Sequence, residues 1–233
     1  MQRRSPRIVT KSQLAKEFLE SKGFEVEEAV GVGLNSAQLM AAETAENPMQ
    51  DRLEKDNIHL LYIGRLESRR NILFLLDVLE KLVAEDLRYR LVMVGKGDKA
   101  YTDKVWQTVS EKKLEPYIIY EESMAQNQLP YLYKNCDFFL LPTEYEIWGM
   151  VLMEAMKFNL PVITTYNGGS SSLVMQDING VILGDDVECW SYVIKHNVFD
   201  KERIQFYNQN RLSNSCDWKI IAKKIIGYRI ARK

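Results

Sequence analysis

Glu146-Ile147-Trp148-Gly149-Met150-Val151-Leu152-Met153-Glu154 follows at once on Phe138-Phe139-Leu140-Leu141-Pro142-Thr143-Glu144-Tyr145. Four consecutive apolar residues read as a buried strand, Pro142 ends it, and 150–158 reads as a helix. The two outer glutamates stand eight positions apart around the glycine where strand hands over to helix. On that helix Glu154 falls one turn beyond Met150, on the face that looks back over the strand ends. The first N–H groups of the helix point into the same crevice, so anion-binding donors and a carboxylate able to accept from a diol converge. A nucleotide with a ribose and a diphosphate presents the matching groups. Taken by itself, the block is equally a solvated loop glutamate followed by a surface glutamate on a helix. The rest of the chain has to decide.

Outward from this block, short apolar runs alternate with helix-length segments. Strands are predicted at 59–63, 90–94, 117–120, 137–141, 161–164 and 180–183. Helices are predicted at 70–84, 100–112, 128–134, 150–158, 171–175, 187–197, 201–210 and 218–231. Strands that are apolar throughout and separated by helices are the mark of a parallel sheet covered on both faces. The helix over 70–84 repeats Ile72, Leu73, Leu75, Leu76, Val78, Leu79, Leu82 and Val83, so it is packed around much of its circumference. The expected architecture is α/β, a doubly wound, Rossmann-like parallel sheet that binds ligands beyond the carboxyl ends of its strands.

The pattern changes before Ile58. Residues 11–22 read as an amphipathic helix, 24–32 as a strand ending in Gly31-Val32-Gly33, and 43–56 as a polar, acidic linker containing Pro48. A helix and a strand cannot bury a core of their own, so this segment is expected to be the trailing edge of a preceding domain. The expected organisation is therefore 1–57 as trailing segment and linker, 58–215 as the sheet domain, and 216–233 as a terminal helix.

Composition narrows the function classes. Lys and Arg total 31 against 32 Asp and Glu, which argues against a general nucleic-acid binder. Cys136, Cys189 and Cys216 are widely spaced and fit a reducing compartment. With only His59 and His196 in the chain, a histidine-based zinc site or a Ser-His-Asp triad is disfavoured. The opening Met1-Gln2-Arg3-Arg4-Ser5-Pro6-Arg7 has no apolar core behind it, and no run approaches the ~18–20 apolar residues of a membrane helix. A cytoplasmic protein is expected.

Three further loops carry ligand-type chemistry. Gly64-Arg65-Leu66-Glu67-Ser68-Arg69-Arg70 follows the first sheet strand and brings guanidinium groups to the next helix start, where a bound anion would offset the unfavourable helix-dipole interaction. Pairing of Arg65 or Arg70 with Glu67 is the plainer alternative. Val94-Gly95-Lys96-Gly97 lets a ligand, or a facing loop, approach closely, but it lacks the spacing of a dinucleotide fingerprint or P-loop, and a plain tight turn is the favoured reading. Asn167-Gly168-Gly169-Ser170-Ser171-Ser172 offers N–H and O–H donors at a short helix start, or an ordinary serine cap. Trp106, Trp190, Tyr131, Tyr133 and Cys136 are expected to be packing residues, and the basic side chains of 223–233 a solvated helix face.

The order Gly64-Arg65-Leu66, Val94-Gly95-x-Gly97, Leu141-Pro142-Thr143-x-x-Glu146-x-x-Gly149-x-x-x-x-Glu154-Ala155-Met156, then Gly168-Gly169 and Asn179-Gly180, resembles the carboxyl-terminal domain of retaining family 4 glycosyltransferases. These are the group 1 type with the GT-B fold, and the resemblance covers about 58–185. It implies a metal-independent transferase using a nucleoside-diphosphate sugar, with no other cofactor, toward a glycan or lipid-linked acceptor. Glu154 would accept both ribose hydroxyls and Glu146 would approach hydroxyls of the donor sugar. Arg65 and Arg70 would neutralise the departing diphosphate, in a chain that has no Asp-x-Asp motif. Backbone groups of Trp148, Gly149, Met150 and Val151 would hold sugar and phosphate, the segment 118–124 ending in Met124 would line the base, and Gly64, Gly95, Gly97, Gly168 and Gly169 would border the donor. The sequence departs from the family at Arg70 (usually Lys), Ile147-Trp148 (usually Gly-Phe) and Ser172 (often Glu).

The competing readings are a nucleotide-sugar epimerase, a phosphorylase and a non-catalytic Rossmann-like nucleotide-binding or interaction module. Nothing singles out the pyridoxal-binding lysine of a phosphorylase. An amino-terminal acceptor domain is the expected partner, the 233-residue chain alone is expected to be inactive in transfer, and the full-length protein could sit peripherally at a membrane. Self-association through the uncovered interdomain face follows, because the first helix, the 24–32 strand and the last helix would leave apolar surface bare.

Overall fold

The computed structural model describes residues 8–29, 47–196, 199–215 and 218–230. Ile8–Thr10 (β1) and Val26–Ala29 (β2) pair in parallel as a small sheet of their own, joined by the helix Gln13–Ser21 (α1). Ser12 caps α1, its hydroxyl accepting from Ala15 N at 3.3 Å. This is the predicted helix and strand; the continuation of the strand to 32, and Gly31 and Gly33 with it, lie outside the described residues. β1 adds a strand that three residues could not announce.

The main sheet has six strands: Ile58–Ile63 (β3), Tyr89–Val94 (β4), Ile118–Glu121 (β5), Phe138–Leu141 (β6), Val162–Thr164 (β7) and Gly180–Ile182 (β8). Between them run Ile72–Glu85 (α2), Lys99–Glu111 (α3), Leu129–Asn135 (α4), Met150–Lys157 (α5) and Ser170–Leu173 (α6). Val187–His196 (α7), Lys201–Ser215 (α8) and Trp218–Ile230 (α9) complete the chain. The order is β5-β4-β3-β6-β7-β8 and every pairing is parallel. This is the doubly wound sheet expected from the sequence. α8 runs on to Ser215, past the predicted end at 210, because the polar residues there carry no glycine or proline to stop it.

Strand order matters more than strand count. From β3 the chain winds one way, through β4 to β5; it then returns to β6, beside β3, and winds the other way. The reversal falls between β3 and β6, registered as Leu60 against Phe138 and Leu61 against Phe139. In doubly wound sheets, ligands bind outside the carboxyl ends of the strands beside such a reversal.

The core is continuous across both faces. α2 buries Ile72, Phe74, Leu75, Leu76, Val78, Leu79, Leu82 and Val83, and Phe74 meets Trp190 of α7 edge-on at 5.3 Å between ring centres. Burying each such side chain is worth about 1.5–3 kcal/mol, which fixes α2, and hence the loop leading into it, against the sheet. Exposed large apolar side chains include Phe18 on α1, Phe24 beside β2, and Trp218 and Ile225 on α9. Among the described residues no helix is long and apolar enough to cross a membrane.

Candidate functional site

At the point of reversal, the loop after β3 and the loop after β6 are knitted together. Glu144 N donates to Arg69 O at 2.9 Å, Arg69 Nη1 donates to Tyr145 O at 2.9 Å, and the fully buried Thr143 hydroxyl lies 3.0 Å from Arg69 O. A short turn, Ser68–Arg70, closes the first loop on Asn71, which is left-handed at φ 55°. That turn carries Arg70 toward the second loop. Its Nη1 donates to Glu146 Oε2, while Glu146 Oε1 accepts from Ile147 N at 3.1 Å.

Glu67 is the hub of the cations. Its carboxylate lies 2.7 Å from Arg69 Nη2, 3.6 Å from Arg70 Nε and 3.8 Å from Arg65 Nε. The plainer reading of the arginines is therefore realised in this ligand-free arrangement: both Arg65 and Arg70 face Glu67. The two are not equivalent. The Arg65 side chain is 73% exposed, whereas that of Arg70 is 14% exposed and its buried Nε makes no hydrogen bond among the described residues. A half-satisfied, desolvated guanidinium beside a carboxylate is poised to take an anion oxygen.

Glu154 stands one turn into α5 and is almost wholly buried. Its Oε2 accepts from the Tyr133 phenol of α4 at 2.8 Å. Burial pushes its carboxyl above the usual range, and the phenol's hydrogen bond acts in the opposite sense. Tyr133 is more than the packing residue expected. Its ring does stack on Phe158, at 5.7 Å and nearly parallel, but its hydroxyl is committed to the second glutamate. The one sequence signal that could have found it is the requirement that a buried carboxylate have a donor nearby.

The glycines serve backbone-to-backbone approach. A Cβ on Gly95, whose φ is +141°, would fall 1.9 Å from Gly64 O, and one on Gly97 would fall 1.7 Å from Leu66 O. Gly64, Gly95 and Gly97 thus let the loops after β3 and β4 lie against each other, with Gly64 N donating to Val94 O at 3.0 Å and Leu66 pairing with Gly97. Gly168 and Gly169 do the same for the loop after β7: their Cβ atoms would meet Ile147 O at 2.1 Å and Trp148 O at 1.7 Å. Gly168 N donates to Glu146 O at 2.9 Å, so the Gly168-Gly169 pair supports the first glutamate from behind. Gly149 takes φ 72° at the entry to α5, and the buried Trp148 indole N–H points to Met153 Sδ at 3.2 Å. Met150 and Ile147 are exposed, Val151 half-buried, and Met124 packs half-buried against the core beyond β5.

The serines behave differently from the donor role open to them. Ser172 Oγ accepts from Gln13 N at 2.8 Å and Ser171 Oγ from Leu14 N at 3.2 Å, so both hydroxyls cap the start of α1 across the molecule. Asn167 holds its own loop, accepting from Gly169 N and Ser170 N at 3.0 and 2.9 Å. A cleft of about 570 Å³ opens at the carboxyl ends of β6, β7 and β8, lined by Thr143, Glu144, Thr165, Tyr166, Gly184 and Asp185. A second cavity of about 420 Å³ lies at the opposite, amino ends of β6 and β7, between Tyr133, Phe138, Phe158 and Pro161.

Comparison with known proteins agrees with this geometry. The family model described as glycosyl transferases group 1 matches residues 43–194. An O-antigen chain mannosyltransferase B of Escherichia coli is 34% identical over 61% of this chain and 37% of its own length. A lipopolysaccharide 1,2-N-acetylglucosaminetransferase of Salmonella typhimurium is 28% identical over 94% of this chain and 60% of its own. The chain thus spans roughly a third to three fifths of these relatives. Among solved structures, a glycosyltransferase from Rickettsia africae superposes with a TM-score of 0.79 at 20% identity, over 97% of this chain and 64% of that one. Anabaena HepE, solved in complex with UDP-glucose, gives 0.77 at 19% identity over 98% and 65%. The six-stranded parallel sheet, the order of the loop motifs and the family match over 43–194 together identify the chain as a member of the group 1 glycosyltransferases, carrying the carboxyl-terminal domain of the GT-B fold.

Proposed function

We propose that this domain binds the nucleoside-diphosphate sugar from which a retaining glycosyltransferase takes its sugar. The observation that carries this reading is the meeting of Arg70 with Glu146 at the reversal of the sheet, directly ahead of the amino end of α5. Cleavage of a glycosyl–phosphate bond leaves charge on the departing diphosphate. Groups fixed in advance where that charge develops lower the barrier more than mobile water does. Arg70, with Arg65 reaching over the surface, takes the diphosphate oxygens, and the free N–H groups of Gly149, Met150 and Val151 add donors. Trading its contact with Arg70 for the ligand leaves Glu146 facing hydroxyls of the donor sugar. Glu154 accepts the ribose hydroxyls, and the strand-end segment to Met124 flanks the base. Fixed cations and a helix end supply charge neutralisation that elsewhere falls to a divalent ion. The sugar passes to a glycan or lipid-linked acceptor presented by a facing domain; support for such an acceptor is that two relatives are named for an O-antigen chain and for lipopolysaccharide.

Titration calorimetry of the 233-residue chain with UDP, GDP and ADP tests this. Saturable binding of one diphosphate, weakened at least tenfold in Arg70→Ala, is expected; no binding by any of the three refutes the proposal. Binding without turnover is expected of this chain alone, because the residues named occupy one wall of a cleft that needs two. Sugar transfer by the isolated chain at rates typical of such enzymes, about 1 s⁻¹ or more, would contradict that.

A further inference from the structure

Glu154 has two carboxylate oxygens and, in a nucleotide complex, one task for them: accepting from a diol. A carboxylate on a short helix can rotate about its last bond, and each wrong rotamer presents a single oxygen, or none, to the ligand. Something must fix that rotation. α5 offers nothing for the purpose, since the residues flanking Glu154 are the buried apolar Leu152, Met153, Ala155 and Met156.

The fixing group comes from α4. Tyr133 is 1% exposed, and its ring packs against Phe158, stacked at 5.7 Å with 6° between planes, and against Phe139, tilted at 6.0 Å. A fully buried ring packed against two aromatic neighbours has little room to swing, so its hydroxyl stays in one place, 2.8 Å from Glu154 Oε2. A phenol has one proton to give. Given to Oε2, it sets the plane of the carboxylate and compensates part of the cost of keeping a negative charge in so buried a place.

We propose that Tyr133 is the positioning residue for Glu154, holding its carboxylate in the orientation that accepts the ribose hydroxyls of the nucleotide. The inference rests on the role assigned to Glu154 above. Tyr133 touches neither sugar nor phosphate; its effect passes through Glu154.

The test uses Tyr133→Phe, which removes one oxygen and keeps the ring. Affinity for the nucleoside diphosphate that the wild-type chain binds is measured beside that for its 2′,3′-dideoxy analogue. The expected result is a loss of about tenfold for the ribonucleotide and less than twofold for the dideoxy form. In Glu154→Ala, which leaves no acceptor for Tyr133 to orient, the further change Tyr133→Phe then alters ribonucleotide affinity little. A pH series adds a second readout: in Tyr133→Phe, ribonucleotide affinity begins to fall at a higher pH than in wild type, because the carboxylate has lost the donor that favours its charge. Equal losses for both nucleotides, or no loss for either, with wild type still preferring the ribonucleotide, overturn the role of Tyr133 and leave that of Glu154 standing. A wild-type chain that binds both forms equally overturns the role of Glu154 and this inference with it. Thermal melts of each variant separate these outcomes from unfolding.

Discussion

Glu154 concentrates the conflict between stability and binding in one side chain. Burial makes its charge costly, and one phenol is the donor identified for it. Glu154→Gln removes the charge while retaining an oxygen for Tyr133 to donate to. The variant is expected to melt at or above the wild-type temperature at neutral pH. It should also bind nucleotide more weakly by about 1.5–3 kcal/mol, roughly ten- to a hundred-fold, the range for a hydrogen bond to a charged acceptor. Circular-dichroism melts and calorimetry on one preparation check both halves. A variant that loses stability but not affinity would mark Glu154 as a packing residue. Residue types and spacing showed the two glutamates and the arginines in the sequence, because such spacing survives folding intact. They could not show that Arg70 also reaches Glu146 in the ligand-free state, nor that Tyr133 faces Glu154. The Arg70–Glu67 pair, three positions apart, was open to a local reading; the contacts of Arg70 with Glu146 and of Tyr133 with Glu154 join residues 76 and 21 positions apart, and no local period encodes them.

At the scale of elements, the site is built by loops pressed into contact rather than by any one helix. Apolar strands spaced by helical segments made the sheet legible from sequence, and strand boundaries agree within a residue or two because the inner strands are buried almost throughout. The purpose of the glycines was open, since close approach to a ligand and to a facing loop ask the same of a residue. The structure shows the facing loop. Gly169 is the sharpest case, its would-be Cβ lying 1.7 Å from Trp148 O. Gly169→Ala is expected to push the loop after β7 away from Trp148 and to destabilise the fold by about 1–3 kcal/mol, read as a lower urea midpoint at unchanged slope. Gly184→Ala is the control, with nothing within 4 Å of its added carbon; it should be neutral or stabilising by up to about 1 kcal/mol. Equal effects at the two positions would mean that the loop contact yields freely. The capping of α1 by Ser171 and Ser172 was hidden for a related reason, as its partners are 157 and 159 residues away.

For the molecule as a whole, two buried groups at different depths set opposing responses to acid. His59 lies at the amino end of β3, 3% exposed, its Nε2 without a hydrogen bond among the described residues. Burial is the main cause that lowers its pKa below the ordinary 6.5; Arg90 adds to this, while Asp137 and Glu54 oppose it. Below pH 6.5 the unfolded chain takes up this proton before the native one does, so native stability falls until the pH passes the native pKa. Glu154 acts in reverse. Its native carboxyl accepts a proton above the ordinary 4.5, so stability is gained as pH falls through that native value, a gain complete below 4.5. The wild-type melting profile between about pH 7.5 and 4.5 is therefore expected to be flatter than either group alone would give. Subtracting the profile of His59→Leu isolates the ring, because any packing change adds an offset that does not vary with pH. The wild type should lose ground to this variant as the solution is acidified. Against Glu154→Gln it should gain ground over the same interval. A level difference for His59→Leu would mean that the ring takes its proton equally well folded and unfolded, with Asp137 and Glu54 cancelling the cost of burial.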